Sequence, residues 1–375
     1  MSKYSLSFLS MAIIFTGIAR GNEIRRRFIV SDEGNNNIAY IDQYDTTNNW
    51  TFNVGKTSRS LQLIGENKLL VGTARGGYHM VDLTTGTETG RLEHDVKSTS
   101  AIRLENGNTI LAQESNGKAI MKEVDVSGAI VREAEITGIS SLRLTTYSAD
   151  ETFLFGSNKK AVEADWNGNI VWEFAMPDSI NSKHVWKVLR MADGRTVAST
   201  GYGKSLVVIS PEDEITQVIG GADQPGKDSI EPNFYAGFHV LENGHFVCTN
   251  WQAHGSGHGD EGVQILEYDN TGALVWSYKN PAMYSSVHNI IILDDLDLNL
   301  LHTETSGYIS PVGDTRIRSI QIRPLYSPEK SRHRVLSPMR HFTSRSLYDL
   351  QGRLLPNSGR KVSSTRGDVY QFRIE

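Results

Sequence analysis

Phe234-Tyr-Ala-Gly-Phe-His-Val-Leu-Glu-Asn-Gly-His-Phe-Val-Cys-Thr-Asn-Trp-Gln-Ala-His-Gly-Ser-Gly-His-Gly259, followed by Val263-Gln-Ile-Leu-Glu-Tyr-Asp-Asn-Thr-Gly-Ala-Leu-Val-Trp-Ser-Tyr278, is the stretch that decides the fold. Alternating apolar residues predict four short strands, at Gly237–Leu241, His245–Thr249, Gln264–Tyr268 and Leu274–Tyr278. Asn243-Gly244 and Asn270-Thr-Gly272 supply the tight turns between them. Such a four-stranded antiparallel meander is the unit of a propeller blade. Its irregular feature is a Gly/His-rich insertion, Asn250–Gly262, between the second and third strands.

The unit recurs. Ala101-Ile-Arg-Leu-Glu-Asn-Gly-Asn-Thr-Ile-Leu-Ala112 and Val188-Leu-Arg-Met-Ala-Asp-Gly-Arg-Thr-Val-Ala-Ser199 repeat the first hairpin, and Leu61–Gly72 and Leu142–Phe155 do so more loosely. A third strand ending near an acidic residue follows each copy: Tyr78–Asp82, Ile120–Asp125, Ala161–Asp165, Leu206–Ser210 and Gln264–Asp269. A period of roughly 40 to 50 residues belongs to propeller blades rather than helical solenoids. Arg27–Ser31, Asn37–Ile41 and Trp50–Val54 look like the second, third and fourth strands of a blade lacking its first, whereas Val287–Leu293 looks like a first strand with no successor. Lending the late strand to the early blade closes a ring and removes its exposed edges. The expectation is an all-β, six-bladed propeller over residues 26–297. A seventh blade built from His302–Ile322 is the alternative.

Leu104–Leu111, Asp165–Glu173 and Asp269–Ser277 carry a pattern, Leu-x-Asn-Gly-Asn-Thr-Ile-Leu followed by Asp-x-x-Gly-x-Ile-Val-Trp-Glu, that resembles the repeat of secreted bacterial propellers of the quinoprotein-like and arylsulfotransferase-like type. The likeness spans most of residues 57–281 and implies fold rather than chemistry. No adjacent cysteine pair or blade-by-blade tryptophan-docking motif is present to imply a quinone.

The chain has 375 residues, a net charge of -5, and 34 glycines against 10 prolines. That length supports a large core, and the mild charge argues against a nucleic-acid partner. An apolar run, Leu6–Ala19, preceded by Lys3 and followed by Ala19-Arg20-Gly21, reads as a signal peptide over 1–21. It is shorter than the roughly 20 residues that span a bilayer, and no other stretch is long enough. The mature chain, read as a monomer without a transmembrane segment, is expected to be secreted, periplasmic or on the cell surface. The lone Cys248 lies in an apolar strand and reads as an inert buried thiol. After a propeller over 22–297, a basic segment at 298–345 reads as a linker or wrap. Ser346-Leu-Tyr-Asp-Leu-Gln-Gly-Arg-Leu-Leu355 and Gly367-Asp-Val-Tyr-Gln-Phe-Arg-Ile374 are similar to the C-terminal sorting segment of type IX secretion, assigned to 346–375.

Propeller geometry gathers function on the face where first strands begin and second-to-third loops emerge. The loops leading into first strands carry Arg59, Ser100, Ser141, His184, Trp186, Tyr235 and His288. The second-to-third loops carry Arg75, Glu114, Lys159, Lys160, Tyr202, Lys204, Trp251, Gln252, His254 and His258. Of these, His184, His288, Tyr202 and Tyr235 are candidates for acid–base or nucleophilic work. Arg59, Arg75, Trp186, Lys204, Trp251 and Gln252 are candidates for holding a ligand. His254 and His258, on a glycine-flexible loop, are candidates for a divalent metal, completed by His184 or His288. Trp172 and Trp276, equivalent fourth-strand residues, read as packing between blades. Three functions fit: a module binding an anionic glycan or other extracellular small-molecule ligand, an enzyme (a His/Tyr polysaccharide lyase or a sulfotransferase-like transferase), or a protein-interaction scaffold.

Overall fold

The computed structural model describes residues 24–74, 77–94, 98–221 and 223–312. Among them, six four-stranded antiparallel sheets succeed one another around a ring. Blade 1 is Val287–Ile292, Arg27–Asp32, Asn37–Asp42 and Trp50–Asn53, from the inside out. Blades 2 to 6 are each continuous in sequence, with innermost strands Ser58–Leu63, Ser98–Arg103, Thr145–Tyr147, Val188–Arg190 and Phe234–Val240. The borrowed strand pairs as expected, with Phe28 opposite Ile292 and Val30 opposite Ile290.

Local chemistry explains the repeat. Gly244 and Gly272 sit at φ 84° and 88°, which a side chain would resist, and so let the hairpins turn sharply. The acid ending three of the third strands is a turn acceptor: Asp125, Asp165 and Asp269 each take backbone N–H bonds from the residues two and four ahead. Two positions earlier, Glu123, Glu163 and Glu267 are buried and are each paired with an arginine, Arg132, Arg190 and Arg26 respectively, at 2.6 Å. A register shift follows each of these glutamates, so the same bulge twists each blade.

Six apolar cores lie between successive blades, one at each seam, among the described residues. Each seam also carries a side chain-to-backbone hydrogen bond. Asn289 donates to the Arg59 carbonyl, Ser60 accepts from Ala101 N–H, and Ser100 accepts from Thr145 N–H. Thr146 donates to the Val188 carbonyl, Lys187 to the Phe238 carbonyl, and His239 Nδ1 accepts from Ile292 N–H. These bonds set the blades in register at the inner edge, where apolar packing alone would let them slide. Trp172 and Trp276 pack between blades as expected: Trp172 Nε1 donates to Asp213 in blade 5, and Trp276 meets Phe28 of blade 1 edge-on.

Close approach at the blade 4 to blade 5 seam requires Gly156, where a methyl group would run into the Val185 carbonyl oxygen. Gly156→Ala is therefore expected to cost about 3 kcal/mol through overpacking, read as a lowered urea midpoint. An unchanged midpoint would mean the seam is slack.

Among the described residues, those after the ring make no seventh blade. His302–Thr303 and Ser310–Pro311 pair only with each other. Leu298 and Asn299 carbonyls accept from the blade 2 turn at Asn67 and Glu66, and the Ser306 carbonyl accepts from Ala192 in the blade 5 turn. Blades 2 and 5 are opposite in a ring of six, so this strap crosses the channel. It closes the end where first strands finish, leaving the opposite mouth open. The expected signal peptide, the basic segment beyond Val312 and the sorting-like segment lie outside the described residues.

Candidate functional site at the channel mouth

A seventh apolar cluster lies off the seams, at the mouth: Leu144, Trp186, Phe234, Ala236 and Trp251, drawn from blades 4, 5 and 6. His288, at the start of the borrowed strand, slots between two indoles, 4.6 Å from Trp186 at 13° and 5.3 Å from Trp251 at 28°. Phe234 meets both indoles edge-on. Trp186, Trp251 and His288 are 4%, 5% and 2% exposed, so this stack is the mouth's wall.

Glu33 anchors the polar part. It is buried in the loop between the second and third strands of blade 1, and its Oε2 pairs with His288 Nε2. Its Oε1 takes Arg59 Nη2 at 3.2 Å and meets His254 Nδ1 at 3.2 Å. Burial between the indoles holds the His288 pKa down to about 4, so the ring is neutral near pH 7. Despite opposing desolvation, His288 and Arg59 keep the Glu33 carboxyl well below its ordinary range, as an anion. A carboxylate only accepts, so the neutral His288 donates Nε2–H and keeps a lone pair at Nδ1.

Arg59 and Arg143 each place a guanidinium carbon 5.2 Å from the Trp186 ring. Arg143 donates from Nη2 to His184 Nδ1 at 3.2 Å. Its pKa is lowered by burial and by repulsion from Arg59, with Glu114, Glu33 and Tyr202 acting the other way. Tyr202, 40% exposed, joins His184 to Phe234 at ring separations of 5.9 and 4.8 Å.

Polar atoms left without a partner concentrate here among the described residues. Arg59 Nε, Arg143 Nε, Trp186 Nε1, Trp251 Nε1, Gln252 Oε1 and His288 Nδ1 are all buried and unpaired. A buried polar atom without a partner costs about 1 to 3 kcal/mol, so a cluster of them in one place calls for an explanation.

Of the sequence candidates, the structure brings together Arg59, His184, Trp186, Tyr202, Trp251, His254 and His288. Gln252 is buried beside them, its amide donating to the Asn250 carbonyl. Arg75 lies outside the described residues. Tyr235 is a correction. The first strand of blade 6 begins at Phe234, and a register shift between Tyr235 and Phe238 turns the tyrosine into the blade 5 to blade 6 core. There its hydroxyl is taken up by Tyr268 at 2.6 Å and Gln224 at 2.8 Å, and burial raises its pKa. Ser100 is a seam latch, and Lys159 and Lys160 form ion pairs with Asp178 and Glu173. Lys204 supplies a left-handed turn at φ 58°, and its side chain makes no ring or ion-pair contact with the cluster among the described residues. His258 pairs with Glu261 at 2.8 Å, apart from His254 and its Glu33. No three His, Cys, Asp or Glu side chains form a metal-holding group among the described residues.

Sequence reasoning missed Glu33 and Arg143. Glu33 sits in the second-to-third loop of blade 1, the position that supplied Tyr202 and His254 in other blades. The Gly-Asn-Asn that follows it has the composition of a plain turn, which conceals it. Arg143 lies inside the apolar repeat Leu142-Arg-Leu, which disguises it as an outward strand residue.

The fold and the site define a six-bladed β-propeller with one strapped end and one aromatic, arginine-bearing mouth. A protein of unknown function from Bacteroides caccae is similar in structure over 72% of this chain and 100% of its own length, at 18% identity and TM-score 0.59. Streptogramin B lyase is similar over 68% of this chain and 88% of its own, at 15% identity and TM-score 0.45. A catalytically inactive virginiamycin B lyase from Staphylococcus aureus with quinupristin is similar over 69% and 85%, at 16% identity and TM-score 0.46. At these identities the likeness is one of fold. No family model matches the chain, and no curated protein does.

Proposed function

We propose that this chain is an exported propeller that binds an anionic glycan, or a ligand of similar chemistry, at the channel mouth. The supporting observation is the set of buried, unpaired polar atoms on Arg59, Arg143, Trp186, Trp251, Gln252 and His288, gathered around one aromatic stack. A ligand bearing ring faces and oxygen acceptors would satisfy both features, and small rearrangements of Tyr202 and the exposed His254 would admit it. The signal-like 1–21 and sorting-like 346–375 segments support a secreted, periplasmic or cell-surface address.

Binding is favoured over turnover by the state of the imidazoles. His288 is buried between indoles and is a weak base with a pKa near about 4. His184 has its Nδ1 occupied by Arg143. Neither is placed as the accessible base that a lyase needs, nor as the nucleophile of a transferase.

The test is a glycan array probed with the purified chain, followed by calorimetry on the best anionic hit. Arg59→Ala and Arg143→Ala are each expected to weaken binding by about tenfold or more, the worth of a charge-assisted hydrogen bond. Binding that survives both changes and Tyr202→Ala would move the ligand away from this mouth.

A further inference from the structure

We propose that Arg143 locks His184 as an Nε2–H donor, so that this side of the mouth presents donors to its ligand and reads a proton-free oxyanion on it. This rests on the mouth-binding reading above and specifies the group recognised there.

The argument begins with Arg143, which has donors and no acceptor. Its Nη2 lies 3.2 Å from His184 Nδ1, so that nitrogen must present its lone pair. The proton of the neutral ring is then on Nε2, which is what His184 has left to offer. The groups facing His184 favour its neutral form. Burial comes first, then the charges of Arg143 and of Lys183, all of which lower its pKa. Tyr202 packs against the ring at 5.9 Å and brings a hydroxyl that can donate. Arg143 keeps a second donor, Nε, buried and unpaired, and Trp186 keeps its Nε1. The carboxylates near Arg143 are already engaged: Glu114 accepts from Leu142 N–H at 3.0 Å, and Glu33 serves His288, Arg59 and His254.

A half-site of fixed donors discriminates by chemistry. A carboxylate, sulfate or phosphate oxygen accepts from every one of them, whereas the O–H of a protonated acid loses one such contact and an ammonium group leaves donors facing donors. Because the imidazole works uncharged, its contribution does not fade as pH rises through the ordinary histidine range. Arg143 is in this respect a positioning residue for His184 as well as a ligand contact.

Two measurements test this. Nitrogen-15 NMR of the full chain labelled at histidine needs no ligand. It is expected to show His184 as the Nε2–H form, with a titration midpoint below the ordinary histidine value. An Nδ1–H form, or a midpoint near 6.5, overturns the lock. Calorimetry then compares trigalacturonate, a sulfated disaccharide, inorganic phosphate and neutral cellotetraose. Wild-type affinity for the preferred anion is expected to change less between pH 8 and pH 6 than that of Arg143→Gln. His184→Gln, which can still donate, should stay within about threefold, whereas His184→Glu should lose about thirtyfold or more. Arg143→Gln removes one of the charges that lower the imidazole's pKa, so its anion binding, though weaker, should tighten more as pH falls than that of the wild type.

Binding in Arg143→Gln that varies with pH no more than in the wild type overturns the proposal. Binding of cellotetraose with no anion bound overturns the oxyanion while leaving the mouth as a glycan site. Binding of none of the four overturns the oxyanion reading whatever the NMR shows.

Discussion

A chain ending at Ser286 is expected not to fold, whereas one ending at Val312 should unfold in a single cooperative transition. The shorter chain lacks Val287–Ile292, the innermost strand of blade 1. Val287, Ile290, Ile291, Ile292 and Leu293 are all buried and contribute to the cores on both sides of that blade. Five such side chains represent about 10 kcal/mol of burial, comparable to the whole stability of an ordinary domain. Their loss would also leave the backbone of Phe28–Val30 unpaired against the channel and remove the latches at Asn289 and Ile292. Circular dichroism and urea unfolding of the two truncations provide the check. A folded, cooperative 1–286 chain would show that the ring does not depend on this closure.

The second large effect is acid lability. His288 and His239 are fully buried and held neutral, with pKa values lowered to about 4 and about 3 by desolvation. Both lie below the ordinary 6.5, so between pH 6.5 and pH 4 the unfolded chain binds protons that the folded chain refuses. Stability must therefore fall as pH drops through that window. His288 alone contributes a loss of about 3 kcal/mol by pH 4, after which its contribution levels off. His239 continues the decline to lower pH, and Glu33, with its lowered pKa, adds to it below the ordinary carboxylate range. Asp32, raised by burial, works with the opposite sign. Urea midpoints measured from pH 7.5 down to pH 4.5 should fall steadily. His239→Gln retains an acceptor for Ile292 N–H without titrating and should flatten part of the slope. A midpoint that does not move over this range would remove the claim that these imidazoles are held uncharged.

The ring was legible because a blade is a local object. Alternation, Asn-Gly turns and the Asp-x-x-Gly turn act within a few residues, so each copy could be read where it stood. The closure was also legible, because an unmatched first strand and an incomplete blade are complementary deficits. Strand limits were less secure: the blade 6 strand runs Phe234–Val240 rather than from Gly237, because a bulge at Ala236-Gly237 lets pairing continue beyond the alternating pattern. That displacement is what moved Tyr235 from the mouth to the core.

By itself, the sequence determined the all-β blade repeat, its closing strand and the face on which chemistry-bearing loops collect. All of these follow from short-range periodicity and turn chemistry. Tertiary structure decided which side chains meet: Glu33 with His288, Arg143 with His184, the two indoles around one imidazole, and the strap across the far end. Those pairs join residues up to 255 positions apart, as with Glu33 and His288. Their meeting depends on how six twisted sheets tilt toward a common axis, a geometry that no local pattern encodes.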